Sequence, residues 1–98
     1  EKEEEEKIVK KQKQLVEINF IGQTVNEVYE KLGESNLLRF DGNTQTMRYD
    51  TNSCRLFLFF NSSISLPSVK HFEFRDSKGR LINSKAKINE CYINFKLA

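Results

Sequence analysis

The sequence predicts a single α+β domain in which a short helix, or more than one, packs on one face of an antiparallel sheet of about three or four strands, with a further helix at the C-terminus. Three features support this fold class: one helix with clear start and stop signals, four strand-like segments separated by turn residues, and an apolar closing segment. The 98 residues suffice for one modest hydrophobic core. No apolar run approaches the ~18 residues that span a bilayer.

Residues 1–17 form a charged segment that we treat separately from the domain. The segment holds six acids and five lysines, with the acids concentrated at its start and the lysines further along, as the dipole of a helix favours. Ile8, Gln12, Leu15 and Val16 recur at the spacing of one helical face. Two interpretations stay open: a helical arm that docks on a partner, and a solvated tether.

The domain, residues 18–98, opens with the clearest helix signal in the chain. Thr24 and Glu27 have the spacing of a capping box, in which each residue's side chain accepts the amide proton of the other. Gly33 stands where helices commonly end. We therefore predict a short helix between these residues, with an apolar stripe that packs on the sheet and consists of Val25, Val28, Tyr29 and Leu32.

Four later segments have the residue types and lengths of β-strands, and the clearest turn between them is Asp41-Gly42-Asn43. In the second strand, Met47 and Tyr49 share one face. In the fourth, Phe72 and Phe74 face one way, and the opposite face is predicted to hold Val69, His71, Glu73 and Arg75. The predicted strands are residues 37–40, 44–50, 54–60 and 69–76.

The third strand indicates where a partner would bind. Its period of two places Phe57 and Phe59 with Arg55 on one face, opposite the set Cys54, Leu56, Leu58 and Phe60. If the helix covers the second set, both rings lie on the open face beside Arg48 or Arg55. Exposed aromatic side chains with arginine are typical of protein–protein contact surfaces. The alternative is that the N-terminal segment folds across these rings.

The C-terminal segment fits two structures equally well. A helical stripe would contain Ile88, Cys91, Tyr92 and Phe95, with Asn89 as a plausible N-cap residue. A strand would instead align Cys91, Ile93, Phe95 and Leu97 on one face. The choice between helix and strand stays open at this point.

Cys54 and Cys91 are either a disulfide pair or two separate buried thiols, depending on the redox compartment. A disulfide between them would close a loop of about 37 residues and stabilise the fold by roughly 3–4 kcal/mol in the chain-entropy model. We favour the disulfide, on condition that the protein is exported.

Residues that carry catalysis, metal binding or nucleic-acid binding are scarce. His71 is the only histidine, and the two cysteines lack the close spacing of a zinc site. A nucleophilic pair of one cysteine with His71 is conceivable, but a polar strand residue is the simpler interpretation. The net charge of +2 is too small for a nucleic-acid footprint. We predict no enzymatic activity, no metal site, no cofactor and no nucleic-acid partner.

Several short motifs follow one another along the domain. Gly22-Gln23-Thr24 is followed by Val28 and then by Leu32-Gly33, and Met47-Arg48-Tyr49 precedes the alternating residues 56–60. Together these motifs resemble those of the SmpA/OmlA (BamE-like) envelope lipoproteins, or of small proteobacterial envelope proteins of the same fold, over roughly residues 20–80. Glu34-Ser35 departs from the family pattern, which has a proline there, and Met47 stands where an aromatic residue is common.

The resemblance implies a helical layer against an antiparallel sheet, and it favours a helix for the C-terminal segment. It also implies a periplasmic or outer-membrane setting, with a lipid anchor upstream of Glu1 as the only contact with the membrane. Proteins of this kind act as accessories in outer-membrane assembly or envelope integrity.

These observations lead to two hypotheses about function. The first is a non-catalytic interaction module of the cell envelope, whose protein partner contacts Arg48, Arg55, Phe57 and Phe59. The alternative is a structural subunit in which residues 3–16 form a helix that packs into a larger assembly.

Overall fold

The computed structural model describes residues 18–97, so the predictions for the charged segment 1–17 lie outside the described residues. Within this range, five antiparallel strands form one sheet in chain order, and two α-helices accompany it. The α+β fold class is therefore confirmed, with one more strand than predicted. The elements are α1 (Val25–Leu32), β1 (Leu37–Asp41), β2 (Thr44–Asp50), β3 (Cys54–Asn61), β4 (Val69–Asp76), β5 (Leu81–Ile82) and α2 (Lys85–Asn94).

The capping box predicted for α1 is present. The Glu27 amide donates to the Thr24 hydroxyl at 3.2 Å, and the Thr24 amide donates to the Glu27 carboxylate at 3.0 Å. That second hydrogen bond is the main reason why the pKa of Glu27 lies below its usual value. Gly33 ends the helix at a φ of +76°, a region that favours glycine. Val28 is fully buried, whereas Tyr29, predicted to lie on the packing stripe, is half exposed.

Strand β3 is the centre of the sheet and of the core. It pairs with β2 on one side and β4 on the other, and its residues alternate between buried and half-buried along the whole strand. The predicted inward set is confirmed: Cys54, Leu56, Leu58 and Phe60 are buried. Met47 and Tyr49 of β2 share this face. Val28 of α1 and Phe20, which precedes that helix, belong to the same buried cluster.

The prediction for β4 was wrong at one position. Val69 was assigned to the face opposite Phe72 and Phe74, but it is buried in the core. The cause is a β-bulge: Phe59 pairs with His71 and Phe60 pairs with Val69, so Lys70 is an extra residue. The extra residue shifts the alternation by one position and places Val69 on the helix-covered face.

The C-terminal segment is a helix, but it begins earlier than predicted. Ser84, not Asn89, is its N-cap residue, and the Ser84 hydroxyl accepts a hydrogen bond from the Lys87 amide at 3.5 Å. Cys91 and Tyr92 are the buried residues of α2. The Cys91 sulfur forms a disulfide with Cys54, which fastens α2 to the start of β3. Both helices therefore lie on the same face of the sheet.

Tyr49 ties α1 to the sheet through a polar contact. Its hydroxyl donates to the Gly33 carbonyl at 2.8 Å, and its ring is 3% exposed. Burial, with a smaller contribution from Tyr29, raises the pKa of Tyr49 to about 12. The folded protein thus holds this phenol neutral at a pH where an unfolded chain ionises it.

This difference predicts an alkaline loss of stability. Below pH 10 the phenol is neutral in both states, and between pH 10 and about 12 only the unfolded chain releases its proton. The free energy of unfolding should therefore fall across this window, by on the order of 2 kcal/mol. Urea titrations from pH 8 to pH 12 would measure it. Tyr49→Phe should flatten the dependence, whereas Tyr29→Phe should retain it; equal slopes in all three proteins would contradict the assignment.

Candidate interaction surface

The face of the sheet opposite the helices has no covering element among residues 18–97. We call it the open face. Its side chains come from β1 to β5, because residues paired across antiparallel strands point to the same side of the sheet. Its principal members are Leu37, Arg48, Asp50, Arg55, Phe57, Phe59, His71, Glu73, Arg75 and Leu81.

Two phenylalanine rings lie at the centre of the open face. Phe57 and Phe59 are stacked with ring centroids 6.3 Å apart and planes inclined by 12°. The His71 ring stacks on Phe59 at 5.5 Å and extends the row onto β4. All three side chains come from neighbouring positions on two paired strands, so the backbone register holds them in line. The row, which we call the ring strip, is preformed, and its phenylalanines are partly exposed to solvent.

Arginines flank this strip at one end. Arg48 lies directly across from Phe57 on β2, and its Nε donates to Asp50 at 2.9 Å. Arg55 lies 3.6 Å from the same carboxylate and donates to the Thr51 carbonyl at 2.8 Å. A guanidinium has five N–H donors, so these contacts orient the two side chains and leave donors that can bind a partner.

A second charged group lies on β4. Arg75 contacts the Glu73 carboxylate at 2.6 Å, and the other oxygen of Glu73 is 3.5 Å from the His71 ring. The Glu73 side chain is 16% exposed, and its contacts hold the more exposed side chains of His71 and Arg75 in one arrangement. Around the rings, the open face carries three arginines, Arg48, Arg55 and Arg75, and two acids, Asp50 and Glu73. The balance of charge among these five residues is therefore positive.

The four residues predicted from the sequence are therefore brought together. Arg48, Arg55, Phe57 and Phe59 all lie on the open face, each partly exposed. The sequence prediction did not include the open-face residues of the neighbouring strands. These are His71, Glu73 and Arg75 of β4, and the exposed residues Leu37 of β1 and Leu81 of β5. The alternation of β4 already grouped the first three residues, and only the register between β3 and β4 places them beside the phenylalanines.

Cysteine chemistry is not available in this structure. The sulfurs of Cys54 and Cys91 are bonded to each other, so neither supplies a thiolate for a pair with His71. Within residues 18–97, no group of three or more His, Cys, Asp or Glu residues could hold a metal ion. In the same range, no helix is long and apolar enough to cross a membrane.

Comparisons with protein-family models, with curated proteins and with solved structures found no match for this chain.

Proposed function

We propose that the protein is a non-catalytic interaction module of the cell envelope, which binds a protein partner through its open face. The observation that carries this proposal is the row of stacked rings at Phe57, Phe59 and His71, held on a five-stranded sheet and flanked by arginines. Aromatic residues and arginine are enriched among the few residues that contribute most of the binding energy at protein interfaces. Their large contact area and, for arginine, its directed hydrogen bonds account for this.

The chemistry of the strip indicates what kind of surface it binds. A partner would present apolar side chains to the rings, and carboxylates or backbone carbonyls to Arg48 and Arg55. The order already imposed by the ion pairs lowers the entropy cost of binding for these long side chains.

The proposed setting is the periplasm or the periplasmic side of the outer membrane. The intramolecular disulfide is compatible with an oxidising compartment. The motif resemblance described above suggests the same setting, with a lipid anchor upstream of Glu1 and a role in outer-membrane assembly or envelope integrity.

Photo-cross-linking in the native envelope tests the proposed surface. A photoreactive residue at position 71 should form an adduct with the partner, and Phe57→Ser combined with Phe59→Ser should reduce that adduct at least tenfold, because about 1.4 kcal/mol of lost binding free energy is a tenfold change. The double variant should keep the circular dichroism spectrum of the parent and unfold cooperatively, with a melting temperature lower by at most about 8–16 °C, because each of the two substitutions is expected to cost up to about 1 kcal/mol.

The chain offers a matched control on the other side of the sheet. Leu38 and Phe40 of β1 are also two positions apart, and they are 52% and 63% exposed on the helix-covered side. Leu38→Ser combined with Phe40→Ser should leave the adduct at position 71 unchanged. If the adduct survives the loss of Phe57 and Phe59 but disappears in this control, the open face is not the binding surface. If the Phe57/Phe59 variant unfolds instead, the two rings belong to the core.

A further inference from the structure

Strand β1 forms one edge of the sheet, and its outer side pairs with no strand among residues 18–97. All five of its residues are exposed, and its register with β2 is unbroken. Proteins commonly protect such an edge with lysine, proline, a β-bulge or a covering segment, because its free backbone groups can pair with another strand. The strand Leu37–Asp41 contains neither lysine nor proline. Within the described part of the chain, this edge is therefore available for pairing.

Two residues of β1 direct their backbone groups outwards. The Arg48 carbonyl accepts a hydrogen bond from the Asn36 amide at 2.8 Å, so the even-numbered residues of β2 bond towards β1. Their partners in register are the odd-numbered residues of β1. Because the direction of the N–H and C=O groups alternates along a strand, Leu38 and Phe40 direct theirs away from β2. Each of these two residues thus offers one donor and one acceptor to a neighbouring strand.

The side chains of β1 form an apolar side and a charged side. Leu38 and Phe40 are 52% and 63% exposed on the helix-covered side, where Leu38 lies directly across from the buried Met47 of β2. Arg39 and Asp41 project to the opposite side, with Nε and Oδ2 2.9 Å apart. An ion pair this exposed contributes little to folding stability, so its members can pair with another chain at little cost. Exposed apolar residues in a row are typical of a contact surface.

A second copy of β1 complements the first on both sides when the two strands run antiparallel. With Phe40 opposite Phe40 of the second copy, Arg39 of each chain lies directly across from Asp41 of the other. Opposite charges and aromatic pairs at such positions stabilise a strand pair. A shift of two residues in either direction would place Arg39 opposite Arg39 or Asp41 opposite Asp41, which is unfavourable. A shift of one residue would set outward backbone groups against inward ones. The charges therefore select one register.

We propose that the protein forms a two-fold symmetric dimer, in which the β1 strands of two copies pair antiparallel and join two five-stranded sheets into one. The Phe40 rings meet on the helix-covered side, and Arg39–Asp41 ion pairs link the copies on the other side. A strand that pairs with its own copy makes an isologous contact, which closes at two subunits. Five residues per copy bury less than the ~1,600 Å² of a standard interface, so the Kd should lie in the micromolar range. This inference goes beyond the proposed function and does not rest on it.

Charge reversal on β1 tests the pairing by sedimentation equilibrium of the full chain. Arg39→Asp should raise the dimer Kd about tenfold or more, because both ion pairs between the copies become repulsive, and Asp41→Arg should do the same. An equimolar mixture of the two variants should form a heterodimer with a Kd within about threefold of the parent's, since opposite charges then face each other at both positions. Recovery in the mixture also shows that both variants are folded.

A single introduced thiol tests the register. The two native cysteines are bonded to each other, so Phe40→Cys carries the only free thiol. Directly opposed residues at a hydrogen-bonded position have Cα atoms about 5.5 Å apart, a distance that a disulfide can span. Mild oxidation should therefore link this variant into a covalent dimer. Ile93→Cys is the matched control, because Ile93 is 55% exposed on α2, and it should not be linked under the same conditions.

Three results would overturn the proposal. They are a parent that stays monomeric at millimolar concentration, a mixture that associates no better than either charge variant alone, and a Phe40→Cys variant that is linked no faster than Ile93→Cys. None of these measurements involves a partner protein or a probe at position 71. A monomeric parent therefore leaves the proposed binding by the open face intact, whereas loss of the adduct at position 71 leaves the dimer intact.

Discussion

Removal of the disulfide by Cys54→Ala combined with Cys91→Ala should lower the free energy of unfolding by about 3–4 kcal/mol, because the bridge closes a loop of sequence separation 37. Without it, the unfolded chain regains the conformational freedom that the bridge removes. The total stability of a domain this size is of order 5–15 kcal/mol, so the expected loss is a large fraction of it. Both sulfurs are buried, so each alanine also leaves a small cavity.

Urea denaturation of the parent, the double variant and the parent in reductant measures this loss. Asn94→Ala is the matched control, because the Asn94 side-chain amide donates to the Ser53 hydroxyl at 3.0 Å and links α2 to the residue before β3 without a covalent bond. Loss of that exposed hydrogen bond should cost less than about 1 kcal/mol. A double variant no less stable than Asn94→Ala would contradict the structural role assigned to the disulfide.

The elements that were predictable from the sequence are those whose signals are local. The capping box of Thr24 and Glu27 specifies where α1 begins, because both hydrogen bonds join residues three positions apart. The alternation of β3 predicted its inward set correctly, since a strand between two neighbours and under a helix layer has only two faces to choose from. The turn at Gly42, where φ is +57°, separates two strands whose lengths were nearly correct.

The elements that could not be predicted depend on tertiary contacts. The bulge at Lys70 follows from the pairing of β3 with β4, and nothing in the local pattern of β4 indicates an extra residue. Strand β5 is too short to carry a periodicity. Its two residues form a strand only because the turn after Asp76 returns the chain to β4. That turn is held by the Asp76 carboxylate, whose pKa is lowered chiefly by a hydrogen bond from the Arg80 amide.

The candidate surface shows the same division between local and tertiary information. Phe57, Phe59 and Arg55 were predictable as one set because they share a strand face. The position of His71 on Phe59 was not, because it requires the β3–β4 register after the bulge. A pattern within one strand thus identifies the face that a partner would contact, whereas the composition of that face requires the pairing of all five strands.

Two adjacent apolar residues of strand β3, Phe57 and Leu58, have opposite environments. Leu58 is fully buried between the sheet and the helices, whereas Phe57 is half-buried on the open face. Leu58→Ala should therefore lower the free energy of unfolding by about 2–5 kcal/mol, through lost burial and the cavity it leaves. Phe57→Ala removes a larger side chain but leaves no enclosed cavity, and should cost about 1 kcal/mol or less.

Urea denaturation of the two variants measures both values, and Phe59→Ala serves as a second probe of the open face. The slope of the free energy against urea concentration should stay constant across the series, because the surface exposed on unfolding changes little. The decisive quantity is the order of the two losses. If Phe57→Ala destabilised the protein as much as Leu58→Ala, the Phe57 ring would be packed under further chain, and the open face would not be a free binding surface. A loss confined to Leu58 instead leaves Phe57 and Phe59 available to a partner at little cost to the fold.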